Sequence, residues 1–148
     1  MILRIVLIIV FVLLVLTAIR KFVFNWLQRK MLTKVENRFA GRRIAMMAIN
    51  ANFFGQRSKG GKQVRGNGAL VLTETELWFC QAMPEKEISI PVNQIKAIEL
   101  RRSFLGRSIF RQLLYVEFYH QGRDESIAWY VNDPEKWKMA IDRLINED

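Results

Sequence analysis

Residues 53–68, with the sequence FFGQRSKGGKQVRGNG, are the stretch of this chain whose composition would suit binding of a phosphate group. They include five glycines, four basic residues and no acid. A nucleotide-binding P-loop needs four residues between its first glycine and a Gly-Lys-Ser/Thr sequence, and it opens a helix. Here five residues separate Gly55 from Gly61, Gln63 replaces the hydroxyl residue, and the pattern after the loop predicts a strand. The spacing argues against a nucleotide site and leaves a flexible basic connection.

Side chains that could support catalysis or hold a metal ion are few and scattered. His120 is the one histidine and lies in a predicted hairpin turn, and Cys80 lies inside the apolar run LWFCQ. Asp124, Glu125 and Asp133 flank predicted turns and a helix start, where local structure already accounts for acids. No His/Cys spacing matches a metal site. We therefore predict that the protein is not an enzyme and uses neither a metal nor a cofactor.

The net charge of +9 comes from one segment of the 148-residue chain. Positions 20–66 hold 12 basic residues and one acid, a net of +11, and positions 67–148 hold 10 basic and 13 acidic residues, a net of −3. Arg4 adds the remaining +1. The C-terminal part is therefore nearly neutral. The single cysteine excludes an internal disulfide bond and suits a reducing compartment.

Residues 1–19 are predicted to form a transmembrane helix. The run from Ile5 to Leu16 is entirely apolar, and Arg4 is the only charged residue between Ile2 and Ile19. Eighteen helical residues reach about 27 Å, close to the roughly 30 Å of a hydrocarbon core. A cleaved signal peptide is the alternative, but no small-x-small cleavage motif follows the apolar run. We expect the helix to be retained.

Residues 20–43 form a basic connector with helical periodicity. Five apolar residues recur at spacings of three and four: Phe24, Leu27, Met31, Val35 and Phe39. This is the pattern of one helical face. Such a helix would either lie on an anionic membrane surface or pack its apolar face against the following domain or a second copy. The excess of Lys and Arg after the span places the C-terminal part in the cytoplasm, as a single-pass protein of the inner or plasma membrane.

The pattern from residue 44 to 148 predicts an all-β domain closed by one helix. Alternating apolar residues indicate seven short strands, near 44–54, 67–73, 76–81, 87–91, 94–101, 112–119 and 124–131. The sequence DPEKWKMAIDRLI then predicts a helix that is capped by Asp133, with Pro134 in its first turn. We expect a seven-stranded bent sheet or partly open barrel with a C-terminal capping helix.

The runs GNGALVLTETELWF, EISIPVNQIKAIEL, LLYVEFY and DESIAWYV-NDPEKWKMAI resemble the pleckstrin-homology (PH)-like superfold, in particular its GRAM-type and bacterial members. The resemblance covers roughly residues 44–146. It implies the fold and a binding role, because members of this superfold mostly bind phosphoinositides, other lipids or protein segments. It also implies that the first hairpin contacts phosphate groups, through Arg57, Lys59, Lys62 and Arg65.

The first hairpin departs from the family pattern, in which the basic pair is Lys/Arg-x-Arg. Lys62 and Arg65 are separated by two residues, which would direct their side chains to opposite faces of a strand. The departure weakens the case for a specific headgroup pocket and leaves general attraction to anions. A solvated hairpin loop with no ligand is the alternative.

A second basic loop is predicted at residues 101–112, RRSFLGRSIFRQ, which mixes arginines with apolar residues. Its candidate anion contacts are Arg101, Arg102, Arg107 and Arg111. This mixture suits a loop pressed onto a bilayer interface, although such apolar residues can also fold back under a sheet. In a simple meander the first–second and fifth–sixth connections would emerge at the same rim, which would bring both basic loops together.

The predicted function is that of a membrane-anchored cytoplasmic PH-like module that recognises anionic lipid headgroups or a membrane protein partner. One alternative is a structural subunit that uses a sheet edge or groove to hold a peptide of a larger membrane complex. A weaker alternative is nucleic-acid binding through the basic segment, since that charge adjoins the predicted span and needs no further cause. The pattern does not fix the oligomeric state.

Overall fold

The computed structural model describes residues 1–147 of the chain, with a long N-terminal helix, seven β-strands and a short C-terminal helix. The helices are α1 (Ile2–Arg38) and α2 (Pro134–Asn146). The strands are β1 (Ile44–Gln56), β2 (Gly66–Thr73), β3 (Glu76–Ala82), β4 (Glu85–Pro91), β5 (Ile95–Phe104), β6 (Arg107–His120) and β7 (Arg123–Tyr130). The seven predicted strands are therefore confirmed, and most extend beyond their predicted bounds.

The strands form one antiparallel sheet in the order β4-β3-β2-β1-β7-β6-β5. The long strand β1 pairs with β2 from Ile44 to Phe53 and with β7 from Asn52 to Gln56, so it belongs to both halves of the sheet. The sheet folds over on itself and brings the ring of Phe79 on β3 to 5.8 Å from that of Trp129 on β7, measured between ring centres. The predicted bent all-β sheet with a capping helix is confirmed.

One apolar core fills the interior of the folded sheet. Phe53 stacks on Phe79 at 5.5 Å, and α2 closes the open side with the buried residues Trp137 and Ile141. Asp133 occupies the position before α2, but its carboxylate makes no capping hydrogen bond, so the predicted side-chain cap is wrong. The backbone carbonyl of Asp133 instead accepts a hydrogen bond from the N–H of Lys136 at 3.0 Å.

The segment predicted as a second basic loop is a β-hairpin, so the loop prediction for residues 101–112 is wrong. β5 continues to Phe104 and β6 begins at Arg107, which leaves a two-residue turn. Leu105 and Gly106 both have positive φ, of 50° and 73°, as a type I′ hairpin turn requires. The connection between β5 and β6 is therefore only two residues long, where a loop over residues 101–112 was predicted.

The tip of this hairpin lies over the outer face of the sheet. Phe104 and Tyr115 meet edge to face at 5.7 Å, and both are buried in a cluster with Phe54 and Ala128. The partly buried Leu105 packs against the same cluster. The expectation that apolar residues of this segment fold back onto the sheet is confirmed for Phe104 and Leu105, whereas Phe110 is 95 % exposed.

The helix α1 is continuous over 37 residues, and it is long and apolar enough at its N-terminal end to cross a membrane. Residues 2–26 are exposed. The change from apolar to basic composition after Ile19 occurs within this one helix. Arg38 is the last helical residue, and Gly41 with φ of 74° follows three residues later.

The C-terminal part of α1 packs on the outer face of β2 and β3. Met31, Val35 and Phe39 are buried there, three residues of the periodic apolar face. Their partners on the sheet are Ala69, Val71, Trp78 and Cys80. Phe39 meets Trp78 edge to face at 5.4 Å. Of the two possible roles of the connector face, packing on the domain is therefore observed for its second half.

Ion pairs flank this seam. Lys34 contacts Glu85 at 2.5 Å and Glu87 at 2.6 Å, and Arg38 and Arg42 both contact Glu76, at 3.1 and 2.8 Å. Burial alone would lower the pKa of Lys34, but its hydrogen bonds to Glu85 and Glu87 outweigh burial and raise that pKa. Much of the positive charge of the connector is thus neutralised by acids of β3 and β4.

We expect Met31→Ala to lower the free energy of unfolding by about 2–4 kcal/mol, because it removes a fully buried side chain from the seam. Leu32→Ala is the matched control, since Leu32 is 38 % exposed on the next position of the same helix. Thermal melting of the full chain in mild detergent, followed by tryptophan fluorescence, measures the difference. Equal melting of the two variants would contradict the docking of α1.

Candidate functional site

Three connections of the sheet lie at one end of the domain, and we call this end the basic rim. They are the β1–β2 connection (residues 57–65), the β3–β4 turn (residues 83–84) and the β6–β7 turn (residues 121–122). The N–H of Ser58 donates to Glu125 of β7 at 3.2 Å, which joins the first connection to the strand behind the third. A Cβ built on Gly66 would lie 3.3 Å from the carbonyl oxygen of Met83, so the first and second connections also touch.

The β1–β2 connection has a defined shape that depends on Gln63. Gln56 donates its N–H to the Gln63 side-chain oxygen at 2.7 Å, and the Gln63 amide nitrogen donates to the Gln56 carbonyl at 2.9 Å and to the Gly60 carbonyl. A single 3-10 turn spans Arg57–Lys59. The Gln63 side-chain amide closes the loop with the hydrogen bonds that a paired backbone would otherwise make. The loop therefore has a defined conformation despite its glycine-rich composition.

Three basic residues are exposed on this loop, namely Arg57, Lys59 and Lys62, whereas Arg65 is only partly exposed. The guanidinium of Arg65 donates to the carbonyl of Phe54 and to that of Gly61, the latter at 3.1 Å. Burial and the nearby Arg107 lower its pKa. The structure thus brings three of the four predicted basic residues together on the surface and places Arg65 at the base of the loop.

Glu125 anchors the loop from below, a role that the motif analysis missed. It is 6 % exposed and accepts hydrogen bonds from the side-chain amide of Gln56 at 3.0 Å and from the N–H of Ser126 at 2.8 Å, besides that of Ser58. Burial opposes its ionisation, but these hydrogen bonds outweigh burial and lower its pKa. Its position was accessible from sequence, because Glu125 shares the inward face of β7 with Ile127 and Trp129.

Lys86 is a further basic residue of the rim that sequence analysis did not single out. Burial and the nearby Lys59 lower its pKa, and its ammonium lies 5.1 Å from the centre of the Phe53 ring. Two apolar side chains of the rim connections are also exposed, Val64 at 61 % and Met83 at 64 %. The rim therefore combines positive charge with exposed apolar groups, the combination that membrane interfaces accommodate.

The four arginines of the second predicted set are divided between structural and exposed positions. Arg101 contacts Glu99 at 2.7 Å and lies 3.5 Å from the centre of the Tyr115 ring, and Arg111 donates to the hydroxyl of Tyr130 at 2.6 Å. Arg102 and Arg107 are exposed on the hairpin. Arg102 and Arg111 line one groove beside Tyr130, whereas Arg101 and Arg107 are not part of its lining, so the four do not form a single site.

The two basic segments were expected at one rim because a simple meander would bring the β1–β2 and β5–β6 connections to the same end. That expectation is wrong, because the strand order brings the β6–β7 turn to the basic rim in place of the β5–β6 hairpin. The segments nevertheless adjoin. The folded-back hairpin brings Leu105 to within 3.0 Å of a Cβ built on Gly55, and Arg107 lies close enough to Arg65 to affect its pKa.

A second surface of interest is the part of β1 that pairs on one side only, which we call the β1 edge. Residues 44–51 pair with β2, while pairing with β7 begins at Asn52. A groove runs between this edge and the start of α2, lined by Met46, Met47, Asn132, Lys136 and Trp137 among others. Unpaired backbone of this kind is a template for an added strand.

No protein-family profile matches the chain, and no curated protein is similar at a significant level. Solved structures do match. The Vps36 N-terminal PH domain has a TM-score of 0.52 at 13% identity over 72% of this chain and 81% of that chain. The C-terminal domain of an unknown protein from Leishmania infantum has a TM-score of 0.54 at 15% identity over 80% and 98%. A chain of the 8S snRNP assembly intermediate has a TM-score of 0.53 at 16% identity over 69% and 81%.

These matches, together with the strand order and the C-terminal helix, define the class of the protein. It has a PH-like all-β domain preceded by a long apolar helix. The identities are too low to carry more than the fold, since one fold supports many functions.

We expect Glu125→Gln to lower the free energy of unfolding at pH 7 by about 1–3 kcal/mol, because the loop amides would lose a charged acceptor. The pKa of Glu125 is lowered in the fold, so its contribution is present above the unfolded value of about 4.3 and is lost as the pH falls through the folded value. Denaturation at several pH values should therefore show a gap between the two proteins that closes in acid. Asp124→Asn, at an exposed residue paired with Lys96, is the control that should change stability by less than about 1 kcal/mol. A gap independent of pH would contradict the assignment.

Proposed function

We propose that the protein is a membrane-anchored, cytoplasmic PH-like module whose basic rim recognises anionic lipid headgroups. In this proposal residues 1–19 span the membrane, and Arg57, Lys59 and Lys62 contact the headgroups. The arginines of the β5–β6 hairpin have a secondary role, assigned to the exposed Arg102, Arg107 and Arg111. No step of catalysis is assigned to the protein.

The observation that carries this proposal is the distribution of paired and unpaired charge within residues 1–147. The acids near the rim are engaged, Glu85 by Lys30 and Lys34, and Glu125 by the loop amides. No ion pair involves the three basic residues of the β1–β2 loop in the described part of the chain. Each such residue contributes about 1 kcal/mol near an anionic membrane surface.

The orientation in this proposal follows from the residues that flank the apolar run. Arg20 and Lys21 come directly after Ile19, and the positive-inside bias assigns them to the cytoplasmic side. The β domain follows on the same side. Cys80, which is buried and free, is compatible with that compartment.

Nucleic-acid binding is disfavoured because several cations of the basic segment form ion pairs within the domain. Lys34, Arg38 and Arg42 are occupied by acids of the domain, so the +11 segment does not present a continuous basic surface. A strong, salt-dependent shift of DNA or RNA in a gel would revive this alternative.

We expect the triple change Arg57→Ser, Lys59→Ser and Lys62→Ser to weaken the response to anionic lipid by about 100-fold at low salt, from about 1 kcal/mol for each charge. The measurement is a titration of phosphatidylglycerol into neutral micelles that hold the full chain, followed by a fluorophore on Ser58→Cys. Cys80 is buried and stays unlabelled.

The matched control removes three charges from α2, at Lys136, Lys138 and Arg143, and should leave the titration unchanged. A response to phosphatidylcholine as large as that to phosphatidylglycerol would reject recognition of anionic lipid. The control also tests whether the net charge of the chain, rather than the rim, is what matters.

The second candidate function is that of a structural subunit that holds a strand of a membrane protein partner at the β1 edge. The observation that favours it is the one-sided pairing of residues 44–51 beside an apolar and polar groove. Backbone hydrogen bonds of an added strand would supply the affinity, and the groove would supply specificity.

We expect Met47→Glu to remove a stoichiometric protein partner that co-purifies with the full chain in mild detergent, because Met47 is a partly exposed residue of the β1 edge. Met139→Glu is the control, since Met139 is more exposed and lies on α2 away from the groove. Quantitative mass spectrometry of both preparations compares the partner ratio. A chain that purifies without any stoichiometric protein would exclude this candidate.

A further inference from the structure

The direction of α1 on the sheet determines which end of the domain faces the N-terminal segment of the helix. Four residues after the end of α1, Arg42 donates to Thr75 and Glu76, at the β2–β3 turn. Toward the N-terminus, Phe24 and Leu27 line a groove with Met83. Met83 belongs to the basic rim, so α1 leaves the domain at the rim, and the opposite end of the sheet lies farthest from the apolar run.

The distance between the rim and the apolar run follows from helix geometry. Phe24 and Leu27 lie five and eight residues after Ile19, which at 1.5 Å per residue corresponds to about 8–12 Å along the helix axis. The headgroup layer on each side of a bilayer is roughly 5–8 Å thick, and electrostatic attraction extends about 8–10 Å in physiological salt. The rim is thus within electrostatic reach of the leaflet that holds the helix.

The helix can set this distance only if it is held firmly at the domain, and two observations indicate that it is. Met31, Val35 and Phe39 are buried in the seam, and Lys34 contacts two acids on β4. The helix is also continuous from the apolar run into the seam, without a glycine or proline between Ile2 and Arg38. No hinge residue separates the anchor from the domain.

We propose that the basic rim engages the leaflet in which the chain's own α1 is anchored, with the docked helix acting as a strut of fixed length. This inference rests on the proposed function and names its partner surface as the bilayer in cis. Arg57, Lys59 and Lys62 then meet the headgroups while Val64 and Met83 project toward the interface. The β2–β3 turn faces the cytoplasm.

The test changes the length of the strut without touching the seam or the rim. Seven alanine-rich residues inserted between Lys21 and Phe22 lengthen the helix by about 10 Å and rotate the domain by only about 20°. The full chain is placed in bilayers of phosphatidylcholine and phosphatidylglycerol that carry a spin label on the headgroups. A fluorophore on Met83→Cys reports the proximity of the rim, and one on Glu74→Cys reports the opposite end.

We expect strong quenching at position 83, weak quenching at position 74, and loss of the difference in the lengthened protein. A glycine/serine insertion of equal length is the control, because it frees the domain and lets the charge of the rim draw it back, so quenching at position 83 should persist. Wild-type quenching at position 83 in the alanine-rich variant would overturn the proposal.

The two proposals fail in different ways. If the triple loop variant loses its response to phosphatidylglycerol while the alanine-rich insertion changes nothing, the rim recognises lipid but the helix does not set its height. If quenching is stronger at position 74 than at position 83, the orientation of the domain is the reverse of that proposed here, whatever the outcome of the lipid titration.

Discussion

The burial of the outer face of β2 and β3 under α1 is the contact on which the rest of the molecule depends. Ala69, Val71 and Trp78 make that face apolar, and without the helix it would be exposed to water. Burying each large side chain of the seam, such as Met31 or Val35, is worth about 1.5–3 kcal/mol. The helix α1 and the β domain are therefore one folding unit, and the flanking ion pairs of Lys34 and Arg38 fix the position of the helix along the sheet.

The fold was largely predictable because apolar residues alternate along most strands, and the cores of β6 and β7 follow that alternation. The docking of α1 was only half predictable. The periodic face of the connector was visible, but its partner was not, since a bilayer and a protein surface both accept apolar residues. A clue lies in ALVL and LWFC, which are apolar on both faces. A strand of that kind needs a cover on each side, and only one cover can be the core.

The basic residues of the candidate site were predicted from the sequence, but the residues that hold the loop in place were not. Basic composition alone identifies Arg57, Lys59 and Lys62, because solvated cations need no tertiary contact to be recognised. The roles of Gln63 and Glu125 depend on contacts between distant segments, and spacing along the chain carries little information about those. The β5–β6 hairpin was misassigned for a related reason: its turn needs only two residues of positive φ, and arginines on its strands resemble those of a loop.

A weak headgroup site is sufficient for a module that is attached to its own target surface. The two-residue gap between Lys62 and Arg65, and the engagement of Arg65 with backbone carbonyls, argue against a tight pocket of the PH type. A free domain would need such a pocket to find a membrane. A tethered domain experiences an effective concentration of headgroups in the millimolar range or above, so a site worth about 4 kcal/mol is already half occupied. Three cations that have no ion-pair partner within residues 1–147 supply energy of that order. Under the proposed function, the rigid helix holds the basic rim close to the headgroups, so the rim does not need high affinity for them. This explains why a generic basic rim can bind the membrane although the PH-type phosphate-binding motif is incomplete.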